Sequence, residues 1–121
     1  LFRSNGIQLA GRDDRSNRRR QSVNQLLRQT DRSQPLFVID HQPVNEEVEQ
    51  LVDAHVDFAL FGHTHHGQLF PMSWVTDAIY RQSHGYRTYN NTHICVSSGL
   101  GLWGPPFRIG TDSELVVIEV L

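Results

Sequence analysis

The sequence contains no lysine, a single cysteine, a single methionine and no long apolar run. One cysteine, Cys95, cannot form a disulfide within the chain. No stretch approaches the roughly 20 apolar residues with which a helix crosses a bilayer. The 11 basic residues, all arginine, are balanced by 13 acidic ones. This balance excludes a strongly basic nucleic-acid binder and an acidic disordered tail.

The 121 residues correspond in length to about one domain. The chain begins at Leu1, and its only methionine is Met72. We therefore expect it to be a piece of a longer protein.

Short apolar segments alternate with helical stripes in the first two thirds of the chain. Residues 7–10, Leu36–Ile39 and Phe58–Phe61 are apolar runs, and the last two are typical of strands buried on both faces. Between these runs, residues 17–30 and 44–52 carry apolar side chains at helical spacing. This order predicts α/β layering with a largely parallel sheet.

The last third of the chain has a different pattern. It predicts strands over residues 86–90, 92–97 and 114–120, with no helix between the first two. Asn90-Asn91 fits a two-residue hairpin turn. The segment that carries Trp74, Ile79 and Tyr80 is either a lid or a satellite core under a long loop.

The positions of the histidines indicate a metal site. His41 follows one predicted buried strand, and His63 and His65 follow the next. Ligands of parallel α/β sheets bind outside the carboxyl ends of the strands, so these imidazoles converge if the strands are neighbours. In an extended segment His63 and His65 point to the same side, and neutral imidazole is a good ligand for transition metals. For His66, metal ligation, substrate contact and simple exposure remain open.

Several segments carry motifs of a known family. They are Asp40-His41-Gln42-Pro43, Gly62-His63-Thr64-His65, Ser97-Ser98-Gly99-Leu100-Gly101 and the run from Pro106 to Glu114. Together they resemble the motifs of calcineurin-like metallophosphoesterases, in the branch of bacterial membrane-associated members. The resemblance implies that residues 1–121 are the C-terminal portion of such a domain. The implied fold is part of an αββα sandwich, with parallel α/β layering first and antiparallel strands at the C-terminus.

The resemblance also implies an activity, which is hydrolysis of phosphomonoesters or phosphodiesters with two divalent ions (Mn, Fe or Zn). His41 and His63 are then expected to bind one ion and His65 the other. His66, Trp103 and Arg108 are candidate substrate contacts. Association of the longer protein with a membrane is a further expectation, whereas no nucleic-acid partner is expected.

The sequence departs from the family pattern in lacking the Asp-x-His, Gly-Asp-x-x-Asp and Gly-Asn-His-Asp motifs. No catalytic residue is therefore assigned in this chain. Asp14 lies in a predicted loop and fits no ligand motif, and Asp40 is better placed as a partner behind the ligands. Two adjacent cations without a bridging carboxylate repel each other. By itself the chain is thus expected to hold at most one ion and to be inactive.

The alternative is a non-catalytic half-domain or interaction module with at most one histidine-bound metal. In either case, half of a sandwich leaves a sheet face and strand edges bare. We therefore expect a homodimer formed through the exposed sheet.

Overall fold

The computed structural model describes residues 1–120, which form one six-stranded mixed sheet with two helices packed on one face. In chain order the elements are β1 (Phe2–Ser4), β2 (Ile7–Gly11), α1 (Val23–Leu27), β3 (Leu36–Ile39), α2 (Asn45–Asp53), β4 (Phe58–Phe61), α3 (Met72–Ile79), β5 (Gly85–Tyr89) and β6 (Thr92–Val96).

The strands lie side by side in the order β1-β2-β3-β4-β6-β5. The four inner strands are parallel, and β1 and β5 are antiparallel edge strands. Helices α1 and α2 are the crossovers that return the chain from β2 to β3 and from β3 to β4. The predicted α/β class, with parallel layering first and antiparallel strands towards the C-terminus, is confirmed.

The hairpin between β5 and β6 turns at Asn90 and Asn91. Both residues have positive φ, 46° and 68°, and the flanking residues Tyr89 and Thr92 are paired. Asparagine tolerates this left-handed conformation better than most residues. The predicted two-residue turn is confirmed.

The core lies between the sheet and the helices α1 and α2. Val38, Ala59 and Ile94 are neighbours across three parallel strands and are completely buried. The helix side chains that pack in the same cluster are Val23, Leu26, Val48, Leu51 and Val52. Full burial of one such side chain contributes about 1.5–3 kcal/mol. This layer therefore holds the parallel strands, and the loops at their carboxyl ends, in position.

The opposite face of the sheet is only partly covered. Phe37, Phe58 and Leu60 are half-buried, and Ile39 is 41% exposed. The expectation that β3 and β4 are buried on both faces is therefore wrong for this side. We call these four residues the open sheet face.

The first helix is shorter than the predicted stretch from residue 17 to residue 30. It begins after Ser22, whose hydroxyl accepts a hydrogen bond from the backbone N–H of Gln25, and it ends at Leu27. Upstream of Ser22, side chains accept hydrogen bonds from nearby backbone amides, as Asp14 does from Ser16 and Asn17 does from Arg19. Such local bonds compete with helix formation, which explains the difference.

The strand predicted over residues 114–120 is wrong. The structure has no strand there, and Leu115 and Val117 are 73% and 76% exposed. The segment adjoins β6, whose two edges are already paired with β4 and β5. It lies instead over the open sheet face, where it lines a groove of about 810 Å³ together with Phe37 and Phe58.

Candidate metal centre

Two histidines meet at the carboxyl edge of the parallel strands. His41 comes two residues after β3 and His63 two residues after β4, and these strands are parallel neighbours. His63 Nδ1 lies 3.0 Å from His41 Nε2, and the backbone N–H of Gly62 donates to the carbonyl of His41 at 3.1 Å. Two nitrogens bound at about 2.1 Å to one metal are about 3.0 Å apart at right angles and about 3.4 Å apart in the tetrahedral geometry of zinc. The observed distance is that of a hydrogen bond between the two rings, and it is also close to the spacing of two ligands on one ion.

His65 lies nearby but is held differently. It begins a 3₁₀ turn, His65–Gly67, with φ at +48°, and His63 also has a positive φ of 67°. The segment is not extended, so the expectation that His63 and His65 point to one side as in a strand is wrong. His65 nevertheless lines the same cavity as His41 and His63, and its buried Nδ1 has no hydrogen-bond partner within residues 1–120.

The backbone that carries these histidines is strained. His63, His65, His66 and Gln68 all lie in the left-handed region, which non-glycine residues rarely adopt. Strain of this kind persists where the surrounding structure holds it, and it is concentrated at functional sites. Here the Thr64 hydroxyl donates to the carbonyl of Ser83 at 2.6 Å and anchors the turn.

Gly67 is required by the packing of this turn. Its φ is +77°, and a Cβ atom at this position would lie 2.2 Å from the backbone nitrogen of Ser73 in α3. The turn is therefore pressed directly against the start of α3.

The imidazoles lie in an environment that favours their neutral form. Burial, followed by the neighbouring rings of His41 and His65, lowers the pKa of His63. Burial, followed by the Arg108 cation, lowers the pKa of His65. Because a neutral imidazole is the form that binds metal, both shifts keep the nitrogens available at neutral pH.

Sequence reasoning missed Asp14 as a member of this site. Its Oδ2 lies 4.0 Å from His41 Nε2, and it lines the same cavity. Hydrogen bonds from the backbone N–H and hydroxyl of Ser16 lower the pKa of Asp14. The sequence feature that could have indicated Asp14 is its position just after β2, which is the parallel neighbour of β3. The carboxyl ends of parallel strands share one edge of the sheet, so a residue that follows β2 lies near His41.

Asp40 supports the site from behind. Its carboxylate accepts a hydrogen bond from the backbone N–H of His41 at 2.7 Å and pairs with Arg12 at 2.9 Å. Asp40 therefore fixes the loop that carries His41, through the backbone rather than through the imidazole.

The residue types of this site suit a divalent transition metal, but among residues 1–120 they are not grouped closely enough to hold one. Imidazole nitrogens suit zinc, copper, iron and nickel, and a carboxylate such as Asp14 suits manganese. Within the described range, no three His, Cys, Asp or Glu side chains stand close enough together to hold an ion. The chain thus presents one pair of ligands, with a third imidazole and a carboxylate on the same cavity wall.

The expected substrate contacts occupy three different settings. Trp103 is 73% exposed and lies on the rim of the histidine cavity. His66 stacks on His84 at 4.3 Å between ring centroids. Arg108 directs its guanidinium at backbone carbonyl groups, among them that of His65.

The cavity has a volume of about 590 Å³. Its lining combines Asp14 and the histidines with the apolar side chains of Met72, Val75 and Ile79 from α3. None of the side chains of α3 is buried. The satellite-core interpretation of this segment is therefore wrong, and α3 stands beside the histidines as one side of the opening.

Known proteins that resemble the chain are named metallophosphoesterases. An uncharacterized metallophosphoesterase of Helicobacter pylori (strain J99) is 37% identical over 122 residues, which cover 96% of this chain and 32% of that protein. One from Campylobacter jejuni is 36% identical and covers 73% of this chain and 23% of its own length. A Danio rerio protein named "Transmembrane protein with metallophosphoesterase domain" is 34% identical over 69% of this chain and 20% of its own length.

The chain spans about a third of the length of the Helicobacter relative, in its C-terminal part. No protein-family model matches the chain, and no solved structure matches it significantly. Among residues 1–120 there is no helix with the length and apolar character needed to cross a membrane. Its likeness to the relatives nevertheless extends over nearly the whole chain. The chain belongs to the metallophosphoesterase family and corresponds to its C-terminal portion.

Proposed function

We propose that the chain supplies the histidine part of a two-metal phosphoesterase centre. In this proposal His41 and His63 bind one divalent ion and His65 binds the second. The observation that carries it is the 3.0 Å approach of His63 Nδ1 to His41 Nε2 at the carboxyl edge of two parallel strands. The names of the relatives support the reaction class, which is hydrolysis of a phosphomonoester or phosphodiester.

When bound, the ions supply Lewis acidity towards the phosphoryl oxygens. The residues of this chain hold and shield the site. Asp40 holds the backbone of His41, and Thr64 anchors the turn between His63 and His65. Helix α3 contributes Met72, Val75 and Ile79 to the lining of the cavity. The bridging carboxylate and the remaining ligands come, in this proposal, from the part of the relatives that this chain does not span.

Metal stoichiometry tests the proposal. The protein is stripped with a chelator, reloaded with Mn²⁺ or Zn²⁺, and analysed by elemental analysis after removal of free metal. We expect close to one ion per chain, and loss of that ion in the His63→Ala, His65→Ala double variant.

The matched control for this experiment is His55→Asn. His55 is exposed and has a positive φ that asparagine tolerates. Retention of metal by this control, together with loss in the double variant, supports the site. Equal metal content in the wild type and the double variant contradicts it.

A second candidate is a non-catalytic half-domain with at most one histidine-bound metal. It is favoured by the absence of any group of three metal-binding side chains in the described part of the chain. Phosphoesterase activity of the longer protein separates the two candidates. Loss of that activity on substitution of His41 or His63 supports catalysis, and retention supports the non-catalytic module.

The open sheet face supports a proposal about partners. Phe37, Ile39, Phe58 and Leu60 leave apolar surface in contact with solvent, and such surfaces mark interaction sites. We propose that this face associates with a second copy of the chain. Light scattering at increasing concentration tests it, and a monomer at the highest concentration contradicts it.

The name of the Danio rerio relative supports a proposal about location. In this proposal the longer protein is attached to a membrane, and residues 1–121 are its metal-binding portion. Membrane flotation of the longer protein tests the attachment.

A further inference from the structure

The guanidinium of Arg108 is surrounded by backbone carbonyl groups. Its Nη1 donates to the carbonyl of His65 at 3.1 Å. Its Nη2 donates to the carbonyls of Ser98, Gly99 and Gly101 at 2.8, 3.1 and 2.9 Å. A single cation therefore joins the turn that carries His65 to the loop that follows β6.

The geometry suits arginine and no other residue. A guanidinium presents five donors in a rigid fork, and here it serves carbonyls from two separate segments at once. Lysine is a point charge on a flexible stem and has no such fork. The residue type is therefore matched to holding several backbone groups together.

The carbonyl of His65 belongs to a strained residue. His65 has φ at +48°, and no side chain of its own turn holds its carbonyl oxygen, which also accepts the N–H of Gln68 at 2.9 Å. The contact from Arg108 is thus a long-range bond that fixes the peptide next to the imidazole. Without it, the left-handed conformation has one less interaction to maintain it.

A second set of hydrogen bonds joins the same two segments. The side-chain amide of Gln68 donates to the carbonyl of Trp103 at 2.6 Å and accepts the Trp103 N–H at 2.7 Å. The N–H of Ile109 donates to the carbonyl of Gln68 at 2.9 Å. The loop after β6 is therefore tied to the histidine turn by several bonds. Arg108 is the side chain that bonds the His65 carbonyl, and the backbone of Gly101 and Ser98 also lies against the His65 imidazole.

We infer that Arg108 is a positioning residue that holds His65 in its metal-binding orientation, rather than a residue that contacts the substrate. Three of its four carbonyl partners lie on the loop after β6, so the guanidinium is directed into the protein. The inference rests on the proposed function in taking His65 as a metal ligand.

The test compares Arg108→Gln and Arg108→Lys with the wild-type chain and with Arg87→Gln as control. Arg87 is exposed on β5, away from the histidine turn. Because His65 is proposed to bind the second ion, the affinity for the second Zn²⁺ is measured in the longer protein by competition with a chromogenic chelator. Loss of a group that orients a metal ligand typically costs about 10- to 100-fold in affinity. We expect a decrease of that size for Arg108→Gln, a smaller one for Arg108→Lys and none for Arg87→Gln.

A second readout needs no metal. The ¹⁵N-labelled imidazole of His65 is observed by NMR in the metal-free chain. We expect the Arg108 variants to shift or broaden the His65 signals, while those of His55 and His93 stay unchanged. Thermal unfolding checks that the variants are folded. If Arg108→Gln does not fold, the comparison is made with Arg108→Lys alone.

The outcomes separate the two proposals. If the wild-type longer protein binds no second Zn²⁺, the proposed function fails, and the NMR measurement still decides whether Arg108 orients His65. If the wild type binds a second Zn²⁺ and the Arg108 variants bind it equally with unchanged His65 signals, the positioning role is overturned. A raised KM for a phosphoester in the longer protein, with unchanged metal affinity, also overturns it, because a substrate contact gives that result.

Discussion

Arg12 and Asp40 form an ion pair at 2.9 Å whose side chains are only 2% and 1% exposed. The pair lies directly behind His41, because the same Asp40 carboxylate accepts the His41 backbone N–H. Burial raises the pKa of Asp40, and the Arg12 cation opposes this effect. The charge of Asp40, and with it the position of the His41 loop, therefore depends on Arg12 and also on Arg20, which lies 3.4 Å from the same carboxylate.

The first prediction concerns this pair. Removing one partner of a buried ion pair typically costs about 3–5 kcal/mol, because the other charge is left uncompensated. For Asp40→Asn we expect the free energy of unfolding to fall by about 3 kcal/mol, the lower end of that range. The loss is expected at the lower end because Arg12 keeps a second carboxylate partner, Glu47, at 3.0 Å. Urea denaturation measures it.

The control for this prediction is an exposed ion pair. Glu49 lies 3.4 Å from Arg81, and both side chains are about half exposed. Glu49→Gln is expected to cost less than about 1 kcal/mol. Equal effects of the two substitutions would show that the Arg12–Asp40 pair contributes no more than a surface pair.

The second prediction separates the two proposed metal positions. If His41 and His63 bind the same ion, the effects of His41→Ala and His63→Ala on Zn²⁺ affinity are not additive, because either change already breaks the pair. His65→Ala combined with either change is expected to be closer to additive. Isothermal titration of the single and double variants measures this, and additive effects of His41 and His63 count against a shared ion.

The third prediction concerns pH. Burial opposes ionisation of Glu114, but hydrogen bonds from the Ser98 N–H, His84 and the Ser97 hydroxyl outweigh it and lower the pKa of Glu114. A lowered folded-state pKa stabilises the protein fully above the ordinary value of about 4.5 and progressively less as the pH falls through the lower value.

Glu114→Gln tests this dependence. The substitution should lower the Tm at pH 7 and should make little difference at pH values below the folded-state pKa, where the wild-type carboxyl is protonated as well. Thermal unfolding of both proteins from pH 7 down to pH 3 measures the difference. A Tm difference that is constant across this range contradicts the assignment.

The fourth prediction concerns the turn at Gly67. In Gly67→Ala the new methyl group meets the backbone of Ser73 at 2.2 Å, at a φ of +77°. The left-handed conformation alone costs a residue with a Cβ about 1–2 kcal/mol, and the clash adds to it. We expect a loss of more than about 2 kcal/mol in the free energy of unfolding, on the basis of that conformational cost and the overlap.

Gly11→Ala is the matched control for the turn. A Cβ atom added at Gly11 would meet nothing within 4 Å, and this residue has no positive φ. Gly11→Ala should change the free energy of unfolding little. Urea denaturation measures both this variant and Gly67→Ala. A similar loss in both variants would mean that the turn does not need glycine at position 67.

Much of the fold follows from local patterns. The apolar runs at Leu36–Ile39 and Phe58–Phe61 are strands at those residues, and the helical stripe before β4 is a helix. The strands are predictable because each is a short, continuous apolar run, and the helix because its apolar side chains repeat with the helical period. The failures lie where a segment depends on partners far away in the chain. The apolar residues 114–120 pair with no strand of the described sheet and line the groove over its open face instead.

The sequence by itself determined which histidines stand just beyond the parallel strands, since strand order and strand ends are encoded in local apolar runs. Only the tertiary structure decided how closely they meet. The 3.0 Å approach of His41 and His63, the place of Asp14 beside them and the contact of Arg108 with His65 join residues 22 to 43 positions apart. Such distances follow from how the strands and loops pack against one another, and no local period in the sequence carries that information.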